Sequence, residues 1–311
     1  MFFYRELITA EKINNERRSI AIGGFDGLHL GHKKILLNLY EDGKEKGNNT
    51  LILSFEPTPK EFFSPHNPPP RLTKFRERYN LIKNYKIDEF FCPNLKTVSH
   101  LTPSKFIKEI LVDGLKVKSI TIGDDFRFAA KRAGTLDDLY FGGKKYGFSV
   151  NVIPPVYKNN QRVSSTFIRD ALAKGDLETA KNMLERDYSM SGRVIYGQGL
   201  GKKLGFPTAN INLNRMRTPI DGIFAVRVGG INQGLLNGVA SIGSRPTIGG
   251  KKKLLEVYIF DFDKDIYNKV INIFFIKKIR EEIKYMDLDA LVEQMRKDTI
   301  EAKAILTANN I

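Results

Sequence analysis

The sequence predicts two domains of different fold classes, an α/β domain over residues 1–185 and a mainly antiparallel β domain over residues 186–311. The 311 residues are enough for two domains of ordinary size. In the first part, short apolar runs alternate with helical patterns, as in a parallel sheet with helices on both faces. In the second part, strand-like runs follow one another with glycine turns, which indicates a barrel or a sandwich, and we favour the barrel.

The first domain contains five runs that we predict to be strands. The first is a short buried strand that ends at Ile22, and the others cover residues 50–55, 89–92, 117–122 and 149–153. Helical patterns cover residues 33–40, 73–84, 103–113 and 135–146. Ligands bind at the carboxyl ends of parallel strands, so the segments after these strands form the candidate site.

The most informative of these segments follows the first strand and reads Gly23-Gly24-Phe25-Asp26-Gly27-Leu28-His29-Leu30-Gly31-His32. Glycine lets a backbone approach a ligand closely, and the start of the following helix favours an anion. His29 and His32 are three residues apart, so on a helix they share a face. The pattern indicates nucleotide chemistry. It could also be an ordinary strand–turn–helix, half of a metal site or two surface histidines.

Two more segments of the first domain carry polar groups. Residues 123–128 follow the fourth strand and lead into a loop with two basic residues, which could bind a ligand or simply close the strand. Residues 164–166 are Ser-Ser-Thr before an apolar helix, with Arg169 one turn further on. Their hydroxyls could cap the helix or donate to phosphate oxygens.

The second domain is predicted from five strand-like runs and one helix. The runs cover residues 193–196, 223–228, 236–242, 254–260 and 269–276, and a short helix over 176–184 precedes the boundary. The terminal helix has Asp287 as its N-cap and an apolar face. That face holds Leu288, Leu291, Val292, Met295 and Ala302.

A glycine- and lysine-rich loop lies at residues 197–210 of this domain. Its backbone N–H groups could wrap phosphates as an anion nest, although the order of a Walker A loop is absent. A plain glycine-rich hairpin would have the same composition.

Glu256 is a lone carboxylate in an apolar strand. Because successive side chains of a strand point to opposite faces, Glu256 shares a face with Leu254, Tyr258 and Phe260. It could serve there as a base, or it could be a charge at the rim of an edge strand.

Charge and composition restrict the class of protein. The net charge is +15. Residues 1–185 contribute +8, from 30 basic and 22 acidic residues, and residues 186–311 contribute +7, from 20 basic and 13 acidic residues. This even distribution favours nucleotide binding or solubility over a nucleic-acid-binding stripe. Cys92 is the single cysteine, and the sequence predicts neither a membrane-spanning run nor a signal peptide. A cytoplasmic location is the expectation.

The turn at residues 23–32 resembles the His-x-Gly-His signature of the nucleotidyltransferase superfamily. In its Gly-x-Phe-Asp-Gly-x-His-x-Gly-His form it is similar to the bacterial bifunctional riboflavin kinase/FMN adenylyltransferases. The resemblance implies a Rossmann-like nucleotidyltransferase domain at residues 1–185 and a riboflavin kinase domain at residues 186–311. Together they would convert riboflavin to FMN and FMN to FAD, with ATP and Mg²⁺.

The resemblance assigns roles in the first domain residue by residue. His29 and His32 would be catalytic. The nucleotide-binding residues would be Gly24, Phe25, Asp26, Gly31, Ser164, Ser165, Thr166 and Arg169. The flavin-binding residues there would be Asp125, Phe126 and Arg132.

In the second domain, Gly-Lys-x-Leu-Gly-Phe-Pro-Thr-Ala-Asn resembles the riboflavin kinase signature. Glu256 would take the proton of the ribityl hydroxyl, Thr208 and Asn210 would hold Mg²⁺, and Arg280 would lie over the flavin. The nucleotide would contact Gly199, Gly201, Lys202, Pro207, Thr208 and Asn210. Residues 243–247 resemble a loop near the ATP site.

The chain departs from the family pattern at three positions, where Thr58 replaces a usual His, Phe167 a basic residue and Ser241 an Asn. The first two bear on the strength of ATP or flavin binding, not on the type of reaction.

The expected partners are the small molecules ATP, riboflavin and FMN, and we expect binding to neither nucleic acid nor a membrane. The sequence does not predict the oligomeric state. Two rivals are an adenylylating enzyme with a degenerate flavin module and a basic nucleic-acid-binding protein.

Overall fold

The computed structural model describes residues 1–6, 17–197, 199–215, 217–247 and 250–308, without the side chains of residues 200, 244–247 and 250–253. The chain forms two compact units, residues 1–69 with 75–164 and residues 70–74 with 165–311. The predicted loop at residues 243–247 lies in a strand instead, and the side chains of its residues 244–247 are not described. Of the described helices, none is long and apolar enough to cross a membrane.

A six-stranded sheet in the order β1-β4-β3-β2-β5-β6 organises the first unit, and all of its pairings are parallel. Its strands are β1 Phe2–Tyr4, β2 Arg18–Ile22, β3 Asn49–Leu53, β4 Glu89–Phe91, β5 Val117–Gly123 and β6 Ser149–Ile153. Its helices are α1 Leu30–Lys46, α2 Pro59–Phe63, α3 Phe75–Ile82, α4 Pro103–Lys105, which continues as a π-helix over Phe106–Gly114, and α5 Leu136–Tyr146. A short hairpin consists of β7 Tyr157–Lys158 and β8 Gln161–Arg162.

Alternate residues of the central strands pack into two separate cores. Ile20 and Ile22 of β2 lie in one apolar cluster, whereas Ala21 lies in the other. In β3, Leu53 lies in the first of these clusters and Ile52 in the second. The predicted sheet with helices on both faces is therefore confirmed.

The second unit contains a closed antiparallel barrel in the order β10-β13-β12-β11-β14-β9. Its strands are β9 Tyr188–Ile195, β10 Thr208–Asn212, β11 Gly222–Gly229, β12 Leu236–Thr247, β13 Gly250–Ile259 and β14 Val270–Arg280. Its helices are α6 Ser165–Ala173, α7 Leu177–Leu184, α8 Leu200–Lys203 and α9 Leu288–Ala308. The barrel prediction is confirmed, and Asp287 caps α9 by accepting the Ala290 N–H at 2.7 Å.

Helices α6 and α7 belong to the same compact unit as the barrel. Within that unit, α7 packs against β9 and β14. The predicted functional boundary between residues 185 and 186 stays a prediction.

Candidate active sites

The glycine-rich turn after β2 is held by buried side chains. Phe25 and Leu28 are each 1% exposed, yet both have positive φ, at 47° and 43°. A left-handed conformation is unfavourable for such residues and persists only where packing enforces it. The Gly23 N–H donates to the Leu53 carbonyl at 3.1 Å, which fixes the turn at the carboxyl end of the sheet.

The two histidines stack at the start of α1. His29 is the N-cap, and its Nδ1 accepts the His32 backbone N–H at 3.4 Å. The ring centroids are 3.6 Å apart, with an angle of 16° between the planes. A Cβ at position 31 would lie 3.3 Å from two atoms of the His29 ring, so a side chain there would require the ring to shift by a few tenths of an ångström. The spacing predicts a shared face on a helix, but His29 has an extended backbone and precedes the helix as its N-cap, so the stacking depends on that cap. The catalytic role stays a prediction.

Arg78 of α3 supports this turn, and sequence reasoning missed it. Its side chain is 1% exposed, and its Nη1 donates to the Gly24 carbonyl at 2.7 Å. Its Nη2 is 3.3 Å from Glu56 Oε2. The helix that carries Arg78 lies 54 residues from Gly24, so no local motif could have indicated the contact.

The loop after β5 presents charged groups to solvent. Asp125 is exposed and pairs with Arg162 at 3.3 Å, while Asp124 pairs with the same guanidinium at 2.9 Å. Phe126 stacks on Phe128 at 5.8 Å and packs against the core. Arg132 is exposed. The predicted flavin ligands thus include one anchored ring and two exposed charges.

The hydroxyl cluster lies around the start of α6, as predicted. Ser165 begins the helix, Thr166 is exposed and Ser164 belongs to the first unit. One turn further on, the Nε of Arg169 donates to the Pro70 carbonyl at 2.6 Å, within the second unit.

At two departure positions the structure shows where the altered residues lie. The Thr58 hydroxyl donates to Glu61 Oε2 at 3.0 Å and so takes part in the start of α2. Phe167 is half-buried in the first turn of α6.

Strand register brings a row of residues to one face of the barrel wall. Asn210 lies directly opposite Glu256, and Glu256 lies opposite Ser241. The row continues through Ile223 to Arg280. Residues directly opposite in antiparallel strands point to the same side, and these five line a cleft of about 270 Å³. Leu255 and Val257 of β13 are fully buried, so Glu256 points away from the barrel core, as the period of two predicts.

The glycine loop closes one end of this cleft. The Phe206 N–H donates to the Gly201 carbonyl at 2.8 Å, and a Cβ on Gly201 would collide with the Phe206 carbonyl. Gly199, Gly201 and Thr208 line the cleft. The side chains of Lys202 and Pro207 are exposed and do not line it.

Oxygen donors converge in the same cleft. The Thr208 hydroxyl and the Asn210 amide project from one face of β10, and the carboxylate of Glu256 is on the neighbouring strand. Mg²⁺ prefers hard oxygen ligands together with substrate phosphates, so this donor set fits that ion.

Arg280 at the far end of the row is held by α9. Its guanidinium makes two hydrogen bonds to Asp298, at 2.8 and 2.6 Å, and lies 5.9 Å from the ring of Tyr285. These hydrogen bonds raise the pKa of Arg280 above its ordinary value despite burial. Sequence reasoning missed Asp298, because a carboxylate on the terminal helix reads as part of a charged helix face.

Comparison with known proteins gives matches across both halves of the chain. A family model described as FAD synthetase matches residues 11–167, and one described as riboflavin kinase matches residues 184–306. A bifunctional riboflavin kinase/FMN adenylyltransferase from Haemophilus influenzae is 41% identical over 291 residues, which cover 93% of this chain and 94% of that protein. The protein of the same name from Escherichia coli K12 is 38% identical over 285 residues, or 91% of each chain.

Among solved structures, a crystal structure described as a macrolide-efflux protein from Streptococcus pneumoniae is similar to this chain. Its TM-score is 0.79 and its identity 27%, over 96% of this chain and 97% of that one.

Proposed function

The chain belongs to the family of bifunctional riboflavin kinase/FMN adenylyltransferases, and on this basis we propose which residues carry out its two reactions. The enzyme transfers a phosphoryl group from ATP to riboflavin, which gives FMN and ADP. It then joins FMN to the AMP part of a second ATP, which gives FAD and pyrophosphate.

The barrel cleft is the proposed riboflavin kinase site. Glu256 accepts the proton of the ribityl 5′-hydroxyl while that oxygen attacks the γ-phosphorus of ATP and ADP leaves. The register that sets Asn210 and Ser241 opposite Glu256 is the observation that best supports this assignment. It places a carboxylate beside the amide and the hydroxyls expected around a phosphoryl group.

Thr208 and Asn210 are the proposed ligands of Mg²⁺ in this cleft. The ion would supply charge neutralisation on the phosphates of ATP. Gly199 and Gly201 bring backbone close to the same space, because neither carries a side chain.

The turn at residues 23–32 is the proposed adenylyltransferase site. A phosphate oxygen of FMN attacks the α-phosphorus of ATP, and pyrophosphate leaves. His29 and His32 stabilise the negative charge that grows on the phosphate oxygens, and the N-terminus of α1 adds its positive dipole end. From the sequence resemblance we further propose that the leaving phosphates bind to Ser164, Ser165, Thr166 and Arg169. The flavin nucleotide would contact Asp125, Phe126 and Arg132.

The test is a time course with riboflavin, ATP and Mg²⁺, followed by chromatography of the flavins. FMN should accumulate first and FAD should follow, with ADP and pyrophosphate as co-products. Absence of FMN under all conditions would remove the kinase assignment. Absence of FAD when FMN is supplied would remove the adenylyltransferase assignment.

A further inference from the structure

Arg280 is fixed in the barrel cleft by Asp298 of α9, which is itself held by Gln294 of the same helix. Its Nε donates to Asp298 Oδ1 at 2.8 Å and its Nη2 to Asp298 Oδ2 at 2.6 Å. The Gln294 amide donates to Asp298 Oδ1 at 2.9 Å, and Asp298 is 4% exposed. Two parallel bonds from one guanidinium fix the orientation of its plane as well as its position.

The held guanidinium still faces the cleft. Arg280, Tyr285 and Asp298 all line it, together with Met295 of the same helix. Asp298 compensates the charge of Arg280, so what the guanidinium offers a ligand is chiefly a flat surface. Guanidinium planes stack on aromatic faces, which suits a planar, uncharged heterocycle better than a phosphate.

We propose that Asp298 is a positioning residue for riboflavin binding, which acts through Arg280 by fixing the plane of its guanidinium before the flavin arrives. This inference rests on the proposed function of the cleft as the riboflavin kinase site. A free arginine side chain would lose its rotamer freedom when the flavin binds, and pre-orientation by Asp298 removes that cost from binding. The effect of Asp298 should therefore appear in flavin affinity.

The test compares Asp298→Asn with Glu301→Gln. Both substitutions remove one carboxylate charge from α9, but Glu301 is exposed and does not line the cleft. For Asp298→Asn we expect the KM for riboflavin to rise about tenfold, as loss of a charge-assisted hydrogen bond allows. The KM for ATP and the rate of FAD formation from FMN should stay unchanged. Glu301→Gln should match the unsubstituted enzyme throughout.

A direct measurement of flavin binding accompanies the kinetics. Riboflavin absorbs and emits visible light, which protein side chains do not, so its binding can be titrated by its own fluorescence. Gln294→Leu removes only the bond that orients Asp298 and should weaken riboflavin binding in the same direction, by less. This milder variant keeps the test decisive if Asp298→Asn folds poorly.

A double-mutant cycle separates positioning from direct contact. In an Arg280→Ala background, Asp298→Asn should change riboflavin affinity no further, because the residue through which it acts is gone. A loss as large as in the unsubstituted background would overturn the inference, and so would an unchanged KM for riboflavin in Asp298→Asn. Failure of the unsubstituted chain to form FMN would overturn the proposed function, and this inference with it.

Discussion

Strand register gathers single residues that lie far apart in the sequence. Asn210, Ser241 and Glu256 come from three strands, yet they are neighbours across the barrel wall. Each alone is a weak signal, since most lone glutamates in strands are rim charges. Their joint position in one cleft is the observation that supports the proposed role of Glu256 as a general base.

At Glu256 we predict that substitution by glutamine lowers the rate of FMN formation by about 10²- to 10⁴-fold, the usual contribution of a general base. Formation of FAD from supplied FMN should be unchanged. The measurement is the initial rate of each half-reaction. Glu293→Gln, at an exposed site on α9, is the control and should leave both rates intact. A parallel fall in both rates for Glu256→Gln would contradict the assignment.

For His29 the prediction is the reverse. His29→Ala removes a group from the proposed phosphate site and should lower FAD formation by about 10²- to 10³-fold, the scale of a lost electrostatic stabiliser. FMN formation should continue at the unsubstituted rate. His100 is exposed, and His100→Ala is the matched control. If His29→Ala left FAD formation untouched, the turn would not be the adenylyltransferase site.

What the sequence could predict of the site follows from short-range periodicity. The facing of Glu256 follows from the period of two, whereas the stacking of His29 on His32 depends on an N-cap conformation that their spacing alone does not give. Arg78 and Asp298 could not be found in this way. Each is a charged residue on a helix, and its partner lies on a distant segment, so only the tertiary fold shows the contact.

At the scale of elements, α3 fixes the glycine-rich turn through one buried guanidinium. Arg78→Lys keeps the charge but cannot reproduce the two-pronged contact with Gly24 and Glu56. We predict that the rate of FAD formation falls about tenfold or more, because one hydrogen bond to a charged group contributes on that scale. The rate of FMN formation should stay unchanged. Arg76→Lys on the exposed side of the same helix should have no effect. Equal effects of the two substitutions would contradict the role of Arg78.

Asp42 joins α1 to three strands of the sheet. It accepts hydrogen bonds from Lys46 and Ser19, each at 2.6 Å, from Asn151 at 3.0 Å and from Ser119. Burial raises the pKa of Asp42, but the hydrogen bonds from Lys46, Ser119 and Ser19 outweigh burial and the net pKa is lowered. The charged form is therefore the one that the folded state favours.

This lowered pKa makes the contribution of Asp42 to stability depend on pH. A carboxylate whose pKa is lowered by folding stabilises the folded state fully at pH values above its unfolded pKa of 3.8. This contribution is lost as the pH falls through the lower pKa of the folded state. Asp42→Asn should lower the free energy of unfolding at pH 7 by about 1–3 kcal/mol, the scale of hydrogen bonds to a charged group. The deficit should shrink below pH 3.8, as measured by urea unfolding across pH. Asp113→Asn, in an exposed ion pair, is the control. A stability deficit of Asp42→Asn that grew as the pH fell would contradict this role of Asp42.

Most elements were predictable, and the misses have local causes. The three-residue strand β1 pairs in parallel with β4 more than 80 residues away, and such a short run carries no periodic signal. The predicted helix at 103–113 is α-helical only over Pro103–Lys105 and π-helical over Phe106–Gly114, a change that periodicity does not reveal. The predicted glycine-rich loop at residues 197–210 includes the start of strand β10, because the residues of that strand follow the loop without a break.

At the scale of the whole molecule, one chain carries two units with unrelated architectures. Each unit has its own proposed phosphate chemistry, and the product of the barrel is the substrate of the parallel-sheet unit. The central claim is that the two sites are chemically independent. A variant defective in one reaction should therefore supply the other reaction in a mixture.

The most direct measurement is a complementation assay with riboflavin, ATP and Mg²⁺, in which FMN and FAD are separated by chromatography. In the time that the unsubstituted enzyme needs to form FAD, Glu256→Gln alone should convert little riboflavin, and His29→Ala alone should form FMN but little FAD. An equimolar mixture of the two variants should restore FAD, because FMN made by one protein is adenylylated by the other. A mixture that formed no FAD, although each variant kept its own remaining half-reaction, would contradict independent sites linked by released FMN.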